Sequence, residues 1–118
     1  MSEEVKEFKG SARLERDGSF AAVSVCLRTG TGSAIIRSIA NLANDRKNNG
    51  RKALALSGLG YASTQFRRQY YPCELLITEI SGDAEERAFS IATCYATWLA
   101  LNEEPPPDFD NIGWQHIT

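Results

Sequence analysis

The sequence predicts an α+β domain, a two-layer sandwich whose largely antiparallel four-stranded sheet carries two helices on one face, in the order β-β-α-β-β-α. Three observations predict it. Two alternating apolar–polar runs meet at Asp17-Gly18. Apolar residues then recur at helical spacing, about 3.6 residues per turn, after Ser33 and again after Asp83. Short apolar runs, "KALALSG" and "CELLITEI", lie between those two segments.

The first pair of strands is a hairpin. Phe8, Ala12 and Leu14 alternate with Lys9, Ser11, Arg13 and Glu15, which predicts one buried and one solvated face. Asp17-Gly18 is a dipeptide that accepts the positive φ of a tight hairpin turn. The return strand places Ala21, Val23, Val25 and Leu27 on one face and Ala22, Ser24, Cys26 and Arg28 on the other.

In "SAIIRSIANLANDRKNNG", Ile35, Ile36, Ile39, Leu42 and Ala43 form one helical stripe, with Ser33 as N-cap. Asn48-Asn49-Gly50 is read as its stop, with Arg46 and Lys47 against the negative end of the dipole. "KALALSG" is read as a short strand. "LGYASTQFRRQYYP" fits either a helical turn over residues 63–70 or an extended loop. In "CELLITEI", Leu75 and Ile77 take one face and Leu76 and Ile80 the other, as in a strand inside the sheet. The last helix buries Ala84, Ala88, Ile91, Ala92, Tyr95, Trp98 and Leu99, starts with Asp83 and Glu86 at capping-box spacing, and stops at Pro105–Pro107. Residues 1–104 are read as one domain and residues 105–118 as a proline-led acidic and aromatic tail.

At 118 residues, with 42% hydrophobic and 24% charged residues, the chain can enclose a core without metal or disulfide staples. No stretch approaches the roughly 20 apolar residues of a membrane span, and the polar N-terminus carries no secretory pattern, which places the chain in the cytoplasm. Cys26, Cys73, Cys94 and His116 match no zinc-site spacing and are read without a metal. No pairing motif surrounds a serine or cysteine, so neither an enzymatic activity nor a cofactor is expected. The net charge of -2 conceals a polarised layout. Arg28 to Arg68 holds eight bases and one acid, whereas residues 74–118 hold nine acids and one base. That asymmetry implies two functional faces, complementarity between subunits, or neutralisation within the fold.

Two glycine segments follow expected strands. "RTGTGSA" presents Arg28, Gly30, Gly32 and Ser33, and "SGLGYA" presents Gly58 and Gly60. Amides freed at a helix N-terminus bind anions, so the pair could hold the phosphate of a nucleotide if both loops stood at one sheet edge. Neither matches a Walker or dinucleotide-binding fingerprint, and each also reads as a plain turn. "QFRRQYYP" mixes Phe66, Tyr70 and Tyr71 with Arg67 and Arg68, a composition shared by protein interfaces and by single-stranded nucleic-acid sites. Arg46, Lys47, Arg51 and Lys52 add a basic segment. The tail reads either as a recruitment peptide or as a segment packed on its own domain. The leading expectation is a non-enzymatic binding protein, a regulator, adaptor or inhibitor of bacterial or phage type. It would contact another protein through these basic and aromatic residues and pair with itself as a homodimer. The alternatives are a phosphate-ligand binder at the glycine loops and a single-stranded nucleic-acid binder using the basic residues 28–68.

Overall fold

In the computed structural model, residues 6–30, 35–64, 73–103 and 113–117 are described. The hairpin joins β1 (Lys6–Arg16) to β2 (Ser19–Thr29). Asp17 and Gly18 hold φ of 51° and 84°, the left-handed values a two-residue turn requires, and Arg16 pairs with Ser19 across it. β3 (Ile35–Ser38), α1 (Arg46–Ser63), β4 (Cys73–Gly82), α2 (Glu86–Ala100) and β5 (Gln115–Ile117) follow. The sheet runs β3-β4-β2-β1-β5, with β3 parallel to β4 and every other neighbour antiparallel. The class is α+β with two helices, as expected, but the sheet is five-stranded and mixed.

One face of the sheet is the core. Ala12 and Leu14, then Ala21, Val23, Val25 and Leu27, then Leu75, Ile77 and Ile80 pack against Ala55 and Leu59 of α1 and a run of α2 that includes Phe89, Ile91 and Tyr95. The expected parity of β4 is corrected at one point. Val25 stands opposite Ile77 and Ser24 opposite Glu79, so Thr78 is an extra residue, and its hydroxyl donates to the Ser24 carbonyl at 3.2 Å. A bulge of one residue reverses the faces beyond it, which returns Ile80 to the core.

The middle of the chain differs from the expectation more deeply. Residues 35–38 form a strand where a helix was expected, and the helix occupies residues 46–63, including the "KALALSG" expected as a strand. Adjacent β-branched isoleucines favour the pleated backbone, whereas Ala53, Leu54, Ala55 and Leu56 are strong helix formers. Asp45 is the true N-cap: its Oδ1 accepts from the Asn48 amide at 2.8 Å. Thus Asn48-Asn49-Gly50 opens this helix instead of closing another. The buried side of α1 is Ala55, Gly58, Leu59 and Ala62, an i, i+3, i+4, i+7 face built from small residues.

At α2 the Asp83–Glu86 capping box does not form. Glu85 is the N-cap, with no side-chain bond to the helix amides, and Asp83 Oδ1 instead accepts from the Phe20 amide at 3.0 Å, tying the helix entry to β2. Leu99, expected in the buried stripe, is exposed. Thr93 and Thr97 are fully buried and return their hydroxyl protons to the carbonyls four residues back, at 2.7 and 2.8 Å. In the tail, β5 pairs with β1, and His116 stacks on Tyr95 with ring centroids 4.5 Å apart.

Candidate functional site

The two glycine segments do not form one site. Gly58 and Gly60 lie inside α1, so there is no second glycine loop. Gly58 is explained by packing: a Cβ there would fall on the carbonyl oxygen of Ser90, and its own carbonyl accepts from Cys94 Sγ at 3.3 Å. Gly30 has φ of 78° where β2 ends, while Gly32 and Ser33 lie outside the described residues. Arg28 is clamped between carboxylates of both neighbouring strands, with Nε 3.4 Å from Glu7 and an Nη 3.7 Å from Glu74. Those partners neutralise the cation that the phosphate reading assigned to an anion.

Phe66, Arg67, Arg68, Tyr70 and Tyr71 lie outside the described residues. Arg46, Lys47, Arg51 and Lys52 all lie in the first turns of α1, whose first turn contains no acid. Arg46 and Lys47, in the first turn, meet the positive end of the helix dipole and work against helix stability by about 0.3–1 kcal/mol each. Arg51 is partly engaged, with its guanidinium 5.3 Å above the Phe89 ring. Arg46, Lys47 and Lys52 are exposed and form no ion pair among the described residues.

The structure shows a second feature that sequence reasoning missed. Ile35, Ile36 and Ile39 are 42%, 46% and 52% exposed, on and just after edge strand β3. They make an apolar ridge along the strand edge, with Ile36 on the helix side of the sheet and Ile35 on the other, and the outer side of the strand pairs with nothing among the described residues. The exposed Arg37 stands within it. Ile39 still donates its amide to the Ile77 carbonyl at 2.8 Å, so the edge stays straight to that point. Beyond it, Ile39 and Asn41 line a shallow depression with Thr78 and Glu79. The following loop is tied back to the helix. Asn48 Nδ2 donates to Ala43 O and Asn49 Nδ2 donates to Asn44 Oδ1, both at 3.1 Å. The signal was present as three isoleucines in five positions, but helical periodicity assigned them to a core.

Groups with chemical potential elsewhere are held inert. Cys94 is buried, and burial pushes its thiol up to about 12; Cys26 is buried and raised as well, first by burial and next by Glu7. A protonated thiol is neither nucleophile nor metal ligand. The side chain of Cys73 lies outside the described set. No cluster of three potential metal ligands occurs among the described residues. No described helix is long and apolar enough to cross a membrane.

No protein-family model matches the sequence, and no curated protein matches it significantly. A solved structure from Thermus thermophilus is similar over 80% of this chain, with 16% identity and a TM-score of 0.49. The matched region is 15% of that much longer chain.

Proposed function

We propose that this chain is a non-enzymatic binding protein, of the regulator, adaptor or inhibitor type, that engages another protein through the edge formed by β3. One observation carries the reading: three exposed isoleucines, Ile35, Ile36 and Ile39, on and just after an edge strand. Edge strands that expose apolar side chains are an aggregation hazard, and proteins usually blunt them. Here they are left exposed, a local cost that a binding surface accounts for. The partner-binding residues proposed on this edge are Ile35, Ile36, Arg37 and Ile39, none of which the sequence expectation named as partner-binding. Single-stranded nucleic acid is favoured less by this surface, because bases stack on aromatic rings and the ridge is aliphatic. The test is affinity capture from an extract of the source organism, comparing the native chain with Ile35→Asp/Ile39→Asp. The reading expects partners retained by the first and lost by the second.

A further inference from the structure

We infer that two copies of this chain pair antiparallel along β1, over Lys6–Gly10, and so join their sheets across a twofold axis at Phe8. The inference is separate from the β3 reading, because β3 is the far edge of the sheet and stays open in such a pair. Although β5 follows β1 in the sheet, it covers little of it. It pairs with Arg13, Leu14 and Glu15, and no described residue pairs with the outer side of Lys6–Ala12. The hairpin fixes which backbone groups face that side. Arg16 and Ser19 flank a two-residue turn and bond to each other, so the even-numbered residues of β1 turn their N–H and C=O groups to β2. Phe20 agrees, since its carbonyl accepts from Asp83 and Ala84, away from β1. Glu7, Lys9 and Ser11 therefore aim theirs at the open side.

An apolar flank accompanies this edge. Tyr95 of α2 faces β5, where it stacks on His116. Leu99 lies one turn on, along the same side of the helix, and is 49% exposed. A Cβ at Gly10 would fall on the carbonyl oxygen of Ala96 and crowd Ala100, so this end of α2 rests on β1 just past the end of β5. Leu99 thus overhangs the open stretch, on the same side of the sheet as the half-buried Phe8.

Charge selects a second copy and sets the register. In an antiparallel pair, residues with outward backbone groups stand opposite each other. A twofold axis at Lys6, Glu7 or Lys9 would oppose that charge to itself, and like charges directly opposite destabilise a strand pair. An axis at Gly10 would set Glu7 of the copy against Arg13, whose outer side β5 already holds. An axis at Phe8 sets Glu7 opposite the copy's Lys9 and Lys9 opposite its Glu7, with the two Phe8 side chains facing each other. Lys6 of the copy then falls opposite Gly10, clear of β5. Lys9 can turn to its new partner: its side chain is 76% exposed and stands 4.0 Å from Glu7 of its own chain, a weak surface pair. Glu7 keeps its contact with Arg28 of β2. The same pairing brings α2 of each chain alongside the other, which covers Leu99.

The test is sedimentation velocity of the full chain over a dilution series, in which the native chain should form a dimer. Lys9→Glu opposes Glu7 to a glutamate, and Glu7→Lys opposes Lys9 to a lysine, at both symmetric positions of the interface. Each variant should therefore raise the dissociation constant at least about tenfold. An equimolar mixture of the two variants should recover the native constant to within about threefold, because a mixed dimer regains both opposite-charge pairs. Amide hydrogen exchange of the native chain, followed residue by residue, needs no variant. On dilution below the dissociation constant, Glu7 and Lys9 should exchange faster, whereas Phe8 and Gly10, bonded to β2, should not. A monomer at every concentration would overturn the inference. So would a dimer indifferent to both variants, a mixture that stays dissociated, or dilution that leaves the Glu7 and Lys9 amides unchanged. A dimer lost with Ile35→Asp/Ile39→Asp and kept by both β1 variants would assign self-pairing to the β3 edge and overturn it as well.

Discussion

Gly58 and Gly60 show how much one side-chain position depends on its neighbours. Both sit in the interior of α1, where glycine costs about 1 kcal/mol relative to alanine. A methyl group at Gly60 would meet nothing within 4 Å, so Gly60→Ala should raise stability by about 0.5–1 kcal/mol. At Gly58 the same change drives a Cβ into the Ser90 backbone and should destabilise by about 1–3 kcal/mol. Thermal or urea melts of the two variants should therefore move in opposite directions; movement in the same direction would mean that α1 does not pack as described. His116 offers a second test. Its ring stacks on Tyr95, its Nε2 is buried without a hydrogen bond among the described residues, and desolvation lowers its affinity for a proton. The folded imidazole titrates below its unfolded value, so this contribution to stability is present above the ordinary value of about 6.5 and is lost as pH falls through the folded one. His116→Phe keeps the stack and removes the titration. The stability difference between native chain and variant should shift against the native chain between neutral and mildly acidic pH, and a constant difference would show that the imidazole is not desolvated.

At the scale of elements, Asp45 decides between two helix assignments. With Asp45 as the N-cap of α1, Asp45→Ala should cost about 1 kcal/mol in a denaturant melt. In a helix over residues 33–50 it would be an interior position, where alanine is neutral or better. The hairpin was legible because its signals are local: a two-residue turn and strict alternation on either side of it. The segment 33–63 was not, because Ile35, Ile36, Ile39 and Leu42 satisfy a helical period while also suiting a strand, and the buried side of α1 is two alanines, a glycine and one leucine. Small residues carry little periodic signal, and their burial is visible only once α2 lies against them. β5 was missed for a different reason. Three residues cannot announce a strand, and Gln115–Ile117 pairs only because β1 offers an edge there. The bulge at Thr78 likewise depends on pairing with β2, which no local pattern encodes.

Across the whole molecule, the polarised charge layout is only partly cancelled by the fold. Arg28 meets Glu7 and Glu74, and Arg16 reaches Glu85 at 3.4 Å, so bases of the hairpin are joined to acids before and after them in the chain. Arg37, Arg46, Lys47 and Lys52 are not drawn into such pairs among the described residues. The sequence expectation had attached Arg46 and Lys47 to the end of a helix that they in fact begin, and it had spent the three isoleucines on a core. Both sheet edges are short, four residues at β3 and three at β5, which limits accidental pairing. The two edges differ in what they show: β5 carries a half-buried His116 and Ile117, and β3 carries the exposed ridge. That contrast makes capture with edge variants the most direct test of the binding role. Ile35→Asp/Ile39→Asp and, on the opposite edge, Gln115→Asp would be compared with the native chain as bait, after melting curves show that all three are folded. The binding role predicts a partner set held by the native chain and by Gln115→Asp and lost by Ile35→Asp/Ile39→Asp. An identical set on all three baits would contradict it.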